Sequence, residues 1–475
     1  MRVKTMDENK KIIRVLVAMC SIFFAITAYL TYLQIFQGKK LMQNVYNRRN
    51  SEIEENTLRG SIFDRNGVVL AYSEKSGESY ERIYPYEALY SHVIGYNSKI
   101  YGKSLIEAAY NGYLLGLDNY SQVFGMVDRE SRGNDIYLTL DHKLQELGGN
   151  LLKDKKGAIV AIDPKTGEVL ALVSKPDFNA NSKWLEENWV SIAESEEALL
   201  LPRATQGLYP PGSVYKVIIS AGAIEKGLDK KTYEDKGKVV IDGYEIKNAG
   251  EKALGNIGIK EALAASSNVV YSQIGVELGS NQLKRLADRI GMNRDIEFDI
   301  PVNKSIFPYD TMGKNDMAAV AIGQGEMLFT PFHMAMLTAG IANGGDVMKP
   351  VLVKSVMSPE EKKIKDFKSN VMYKIMEAKT ADIIKDMMYE AVENGTGANA
   401  KIEGISVAGK TGTAENHLSE KNKGGEHAWF IGFAPVEDPK IAVAVIVEHG
   451  GSGGGVSAPI AKRIISEYLQ SIEKH

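Results

Sequence analysis

Between Val15 and Phe36 the chain carries no charged residue in 22 positions, and only Ser21, Thr27, Thr31 and Gln34 are polar. At about 1.5 Å per residue such a helix spans a hydrocarbon core of roughly 30 Å. Tyr29 and Tyr32 lie toward its outer end, where aromatic rings favour the membrane–water interface. No polar face interrupts the run, which argues against a buried helix of a soluble domain. A signal-peptide cut after Ala28 would leave apolar residues behind, so the run reads as an uncleaved anchor. Arg2, Lys4, Lys10, Lys11 and Arg14 precede it, while Lys39, Lys40, Arg48 and Arg49 follow. That charge bias is slight. The head is short and the tail long, and long tails cross largely regardless of charge, so the expected orientation is N-terminus inside. The expectation is a single-pass protein of the cell membrane: a cytoplasmic tail (1–14), an anchor (15–36) and an extracytoplasmic remainder. The single cysteine, Cys20, falls inside the run, so no intrachain disulfide is available.

A chain of 475 residues allows two or three domains. Its 44% apolar and 25% charged content is that of a globular protein, and a net charge of −3 gives no reason to expect nucleic acid as a partner. Residues 37–152 read as a first unit, a pedestal. Within it Arg59-Gly-Ser-Ile-Phe-Asp-Arg-Asn-Gly67-Val-Val-Leu-Ala71 predicts strand, Asn-Gly turn, strand, with Arg59, Asp64 and Arg65 as charged flanks of the turn. Ser104 followed by Glu107 predicts a capping box opening a helix to about Leu115. Asn134–Leu140 alternates as a strand, and Asp141 caps a helix to about Leu152. Residues 153–475 form the second unit. Gly157–Asp163 and Glu168–Ser174 predict a hairpin, His427–Phe433 and Lys440–Val447 two more strands, and 458–472 a last amphipathic helix. Strands at both ends with helices between predict an α+β fold: an antiparallel sheet covered by helices, with the smaller β-rich pedestal before it. The charged run Glu360–Asp366 reads as a solvated loop or helix face, and Gly450–Gly455 as a flexible loop.

Three short motifs carry the chemistry. In Tyr209-Pro-Pro-Gly-Ser213-Val-Tyr-Lys216 the prolines suit a helix start, which places Ser213 in the first turn. Lys216, three residues on, shares that face, and the helix dipole favours a developing oxyanion there. A serine N-cap with a surface lysine has the same local pattern. Ser266-Ser267-Asn268 interrupts a helical stretch and predicts a short inter-helix loop. Lys410-Thr411-Gly412-Thr413 reads as extended. Gly404–Thr411 also matches the phosphate-binding G-x-x-x-x-G-K-T pattern, with Asp163 as a conceivable metal partner. That pattern needs a helix after the lysine, and Gly412 weakens one. His417, His427 and His449 with Glu415 and Glu426 show no metal-ligand spacing.

Ser-x-x-Lys, Ser-x-Asn and Lys-Thr-Gly in this order match the motif set of penicillin-binding proteins and serine β-lactamases. With Arg59–Gly67, Ala321-Ile-Gly-Gln-Gly325, Thr330-Pro331 and Ala408–Glu415, nearly the whole chain resembles class B penicillin-binding proteins. The pedestal is short for that family, and the expectation is that no cell-wall-binding module follows the second unit. Val214 and Tyr215 stand where Thr and Phe are usual, and Phe332-His333 where Leu-Gln is usual. The resemblance implies a peptidoglycan D,D-transpeptidase that works through a serine acyl-enzyme, with no cofactor and no metal. It implies Ser213 as nucleophile, Lys216 as its base, Ser266 as proton relay, Asn268 as holder of the lysine and substrate, and Lys410 as electrostatic partner. Thr411, Gly412 and Thr413 would bind substrate, and the backbone N–H groups of Ser213 and Thr413 would form the oxyanion hole. Implied partners are peptidoglycan stem peptides, β-lactams as inhibitors, and a SEDS-type glycan polymerase in the membrane. The rival readings are a membrane-bound serine β-lactamase or β-lactam sensor, and a catalytically idle scaffold.

Overall fold

A computed structural model of the chain describes residues 2–32, 54, 57–77, 79–117, 132–414 and 425–473. The first helix runs Arg2–Tyr32, and its stretch Ile12–Tyr32, of mean hydropathy 2.1, is long and apolar enough to cross a membrane. The helix begins ahead of the uncharged run because Lys, Arg and Glu are themselves good helix formers. The hydroxyls of Ser21, Thr27 and Thr31 bond the carbonyls of Val17, Phe23 and Thr27, each four residues back, so they need no water. The end of the expected anchor (33–36), the first part of the expected pedestal (37–53), Glu415 and His417 lie outside the described residues.

Two main sheets follow. Their strands are β1 (Ile62–Phe63), β2 (Val69–Ser76), β3 (Ser79–Ile83), β4 (Asp135–Leu138), β5 (Gly157–Ile162), β6 (Val169–Lys175), β7 (Val353–Met357), β8 (Lys363–Asp366), β9 (Ala408–Ala414), β10 (His427–Ala434) and β11 (Ile441–Val447). The first sheet has the order β8-β7-β4-β1-β2-β3. β1 pairs with β4 in parallel, whereas β7–β4 and β1–β2 are antiparallel. The expected turn after β1 forms: Gly67 sits at φ +86°, and Asp64 Oδ1 accepts from the N–H groups of Asn66 and Val68 at 2.8 and 2.7 Å.

Three expectations fail in this region. The predicted 104–115 helix is two short ones, Leu105–Ala109 and Asn111–Leu114, and Ser104 makes no side-chain cap. Neither half of the capping box is available: Ser104 Oγ accepts from Tyr96 N at 3.2 Å, and the Glu107 carboxylate is taken by Arg59 at 2.6 Å and Arg82 at 2.7 Å. Arg59 is therefore a buried partner and not a charged flank of the turn. Burial alone would raise the Glu107 carboxyl, but the two guanidinium groups outweigh it and hold it down at about 2. Finally, the charged run after Glu360 contains β8, a strand at the sheet edge, where alternating charges discourage pairing with another chain.

The second sheet has the order β9-β10-β11-β5-β6 and is antiparallel throughout. Every residue of β5, β10 and β11 is buried. Alternate residues explain this. Ile159, Phe430, Val443 and Val445 pack with Leu144, Ile464 and Leu469, from the helices His142–Leu151 and Ser457–Glu473. Val160, Trp429, Ala444 and Ile446 pack with Phe332 and Met336 of the helix Pro331–Ala342. That helix is buried along its whole length, so it is apolar all round. Thr330 caps it by accepting from His333 N at 3.1 Å. Because β9 lies at the edge of this sheet, one side of its backbone is open to other elements.

Candidate active site

Pro211, at φ −75° and ψ −25°, leads into a 3-10 turn over Gly212–Tyr215, which continues as the α-helix Lys216–Glu225. Ser213 thus sits in a tight turn ahead of the α-helix and not in its first α-turn. In a 3-10 turn residues three apart eclipse, which keeps Ser213 and Lys216 on one side. Gly212 has φ +56°, and a Cβ there would lie 2.7 Å from the Thr413 carbonyl oxygen of β9. Behind the turn, Gly212 N donates to Gly323 O at 2.9 Å, and a Cβ on Gly323 would lie 1.8 Å from Gly212 O. Trp429 Nε1 holds Pro210 O at 3.0 Å. The Ser213 side chain is half-buried and makes no hydrogen bond among the described residues. Tyr215 is fully buried, and its hydroxyl has no partner among the described residues, which costs about 1–3 kcal/mol.

The amine of Lys216 is turned toward the Ser266–Asn268 loop. It donates to Ser266 O at 2.8 Å and Asn268 Oδ1 at 2.7 Å, with Ser266 Oγ at 3.4 Å. Lys410 Nζ approaches the same hydroxyl at 3.0 Å and donates to Thr411 O at 2.8 Å. Both lysines are fully buried. Burial, and then the charge of Lys410, holds the Lys216 amine well below the ordinary lysine range. Burial pushes Lys410 down to about 7. A neutral amine has two N–H bonds and one lone pair. For Lys216 the two short contacts use the N–H bonds, and the lone pair is left for a proton.

The loop is the expected inter-helix break. The helix Ile259–Ala265 ends, and Ser266 adopts φ 59° and ψ 38°, a left-handed conformation that non-glycine residues seldom take. Ser267 then caps the helix Asn268–Leu278 by accepting from Val270 N at 3.0 Å. Lys410, Thr411, Gly412 and Thr413 all lie on β9, in register with Ile431, Phe430, Trp429 and Ala428 of β10. Lys410 ends in a strand and not at the start of a helix, so the phosphate-loop pattern does not hold. Gly412 is needed for room: a Cβ would come within 3.0 Å of Val214 Cγ1 and 3.1 Å of Pro211 O. Gly453 of the glycine-rich loop packs here too, since its Cβ would lie 2.4 Å from Gly412 O. The structure thus brings Lys216, Asn268 and Lys410 together on the Ser266 loop, and packs the turn that bears Ser213 against the Thr411–Thr413 stretch of β9.

A family model described as the penicillin binding protein transpeptidase domain matches residues 157–466. This chain belongs to the penicillin-binding protein transpeptidase family. The model of the penicillin binding protein A dimerisation domain matches residues 59–136. The chain is 30% identical to peptidoglycan D,D-transpeptidase PbpA of Mycolicibacterium smegmatis, over 97% of this chain and 99% of that one. It is 29% identical to peptidoglycan D,D-transpeptidase MrdA of Acinetobacter baumannii, over 83% of this chain and 67% of that one. Its structure resembles the penicillin G acyl-enzyme complex of penicillin-binding protein A from M. tuberculosis, with a TM-score of 0.81 and 29% identity, over 87% of this chain and 100% of that one.

In this penicillin-binding protein the unusual His333 is buried. Its ring nitrogens contact Ser305 Oγ and Ile290 O, both at 2.8 Å, and burial pushes it down to about 4. It is a satisfied core side chain. The sequence reading missed Thr396, whose Oγ1 lies 2.6 Å from Thr411 Oγ1. Gly395 beside it is a local signal: a Cβ there would lie 2.3 Å from Ala264 O, so that loop has to hold a glycine for Thr396 to approach β9.

Proposed function

We propose that this protein is a peptidoglycan D,D-transpeptidase in which Ser213 is the nucleophile and Lys216 its base. The observation that carries the reading is the amine of Lys216, buried, depressed in basicity and with two short contacts to acceptors, Ser266 O and Asn268 Oδ1. Its lone pair takes the Ser213 proton as Oγ attacks the carbonyl between the two terminal D-alanines of a stem peptide. Ser266, held by Lys410, passes a proton to the departing D-alanine amine. The N–H groups of Ser213 and Thr413 stabilise the oxyanion. Thr411 and Thr413 bind the terminal carboxylate, and the open side of β9 pairs with the substrate backbone as an added strand. The amine of a second stem peptide then resolves the ester and leaves a cross-link. β-Lactams acylate the same serine; the mycobacterial relative's penicillin G complex is itself an acyl-enzyme.

We further propose the domain order 1–14 cytoplasmic tail, 15–36 anchor, 37–152 pedestal and 153–475 transpeptidase, with the catalytic unit outside the cell membrane. A SEDS-type glycan polymerase in the membrane is the proposed partner. The deciding experiment is mass spectrometry of the chain after reaction with a penicillin. The expected adduct is stoichiometric, maps to the peptide bearing Ser213, and disappears in Ser213→Ala. Rapid release of hydrolysed penicillin would instead favour a β-lactamase.

A further inference from the structure

The first three N–H groups of the helix Asn268–Leu278 are all bonded. Ser267 Oγ takes Val270 N, but Asn268 N and Val269 N go to a distant side chain, Asn248 Oδ1, at 2.9 and 3.1 Å. The amide of Asn248 in turn donates to both carboxylate oxygens of Asp235 at 2.9 Å and to Lys252 O at 2.9 Å. Asp235 also accepts from Ser267 Oγ at 2.6 Å and Gly237 N at 2.8 Å. Asp235 and Ser267 are 1% exposed and Asn248 8%. No ion pair reaches Asp235 among the described residues. A buried carboxylate without a cation is costly, and this one is compensated only by its hydrogen bonds and by the positive end of the helix. The other end of the network is the reacting centre. Ser266 is bent into the left-handed region immediately before Ser267. Asn268 Nδ2 is fixed on Lys247 O at 2.9 Å, which turns its Oδ1 to Lys216 Nζ at 2.7 Å.

We infer that Asp235 and Asn248 are positioning residues for acylation: they lock the Ser266 turn and the Asn268 amide so that the Lys216 lone pair is directed at Ser213. The inference rests on the transpeptidase reading of Ser213 and Lys216. It predicts a defect in the chemical step and not in substrate capture, because neither side chain touches the substrate strand β9.

The test uses the full chain in detergent and a fluorescent penicillin, with acylation resolved into a non-covalent dissociation constant and a first-order acylation constant. In Asp235→Asn the first-order constant falls about 10- to 100-fold, the loss expected when a catalytic group is misplaced by about an ångström. The dissociation constant stays within about twofold. The double exchange Asp235→Asn with Asn248→Asp keeps one carboxylate and one amide facing each other and recovers most of the loss. Glu234→Gln, next to Asp235 in the chain with its side chain 62% exposed, leaves both constants unchanged. If Asp235→Asn does not fold, Ser267→Ala removes one bond to the carboxylate and lowers the same constant about 10-fold. An unchanged first-order constant, a loss confined to the dissociation constant, or a double exchange no better than the single one overturns the inference. Wild-type chain that never labels fails the transpeptidase reading itself.

Discussion

Lys216 and Lys410 converge on the Ser266 hydroxyl, and neither amine reaches water. The proposed role of Lys216 as base depends on that dryness, because a solvated lysine is protonated at neutral pH and cannot accept a proton. The same dryness makes the pair a burden on stability. Lys410 titrates near 7 in the fold against an ordinary value of 10.5. Between these values the unfolded chain binds a proton that the folded chain does not, so stability rises as pH rises. The burden is greatest at or below pH 7 and fades toward pH 10.5. Lys410→Met therefore stabilises the fold more at pH 7 than at pH 9, by a difference of about 2 kcal/mol. Urea unfolding of both chains at the two pH values measures it, and an equal gain at both would refute it. Glu448 adds a second layer, accepting from Arg203 Nε at 2.8 Å and the Tyr209 hydroxyl at 2.6 Å, which anchors the start of the nucleophile motif.

Two of the proposed catalytic side chains come from the ends of elements and the third from a strand at a sheet edge. Ser213 comes from a 3-10 turn before a helix, Ser266 from the break between two helices, and Lys410 from within the edge strand β9. Close glycine contacts hold these elements together. Gly323 and Gly404 both have positive φ, +75° and +77°, so alanine strains the backbone at either. Only Gly323 is also blocked, by Gly212 O at 1.8 Å, whereas Gly404 has open space. Gly323→Ala must displace the turn bearing Ser213 and is expected to slow penicillin acylation about 100-fold. Gly404→Ala loses only stability, about 1 kcal/mol, and acylates as the wild type does. Equal acylation rates in the two variants would remove the turn from this account. The motif spacing made these elements legible in the sequence, but their contacts were not, since Gly212 and Gly323 are far apart in the chain.

At the scale of the molecule the two units are held together differently. The second sheet is sandwiched between apolar faces, whereas the first encloses an ionic centre, Arg59–Glu107–Arg82, with Tyr84 Oη on the same carboxylate at 3.2 Å. β7 and β8, distant in sequence, complete the first sheet against β4. Tyr110 donates its hydroxyl to Asp299, whose other oxygen takes Leu352 N and Val353 N at 2.9 and 3.1 Å. The N-terminal unit and the body of the chain are therefore one hydrogen-bonded construction. Glu107→Ala leaves two buried guanidinium groups uncompensated and is expected to destabilise by about 3–5 kcal/mol. Denaturant unfolding followed by limited proteolysis of the 59–136 region reads this, and a loss under about 1 kcal/mol would show that the arginines find other partners.

The sequence by itself determined the apolar helix, the α+β character, the β5–β6 hairpin, the last strands and helix, and the three short motifs from which the active site is proposed. These are local properties: periodicity, turn chemistry and residue spacing within a few positions. Only the tertiary structure decided that Glu107 faces two arginines instead of capping a helix, that the Glu360–Asp366 run contributes an edge strand, and that the glycine-rich loop packs against Gly412. It also decided that Asp235 and Asn248 stand behind the Ser266 turn. In each case the deciding partner lies far along the chain. Burial then makes the distant hydrogen bond or contact outweigh the local preference.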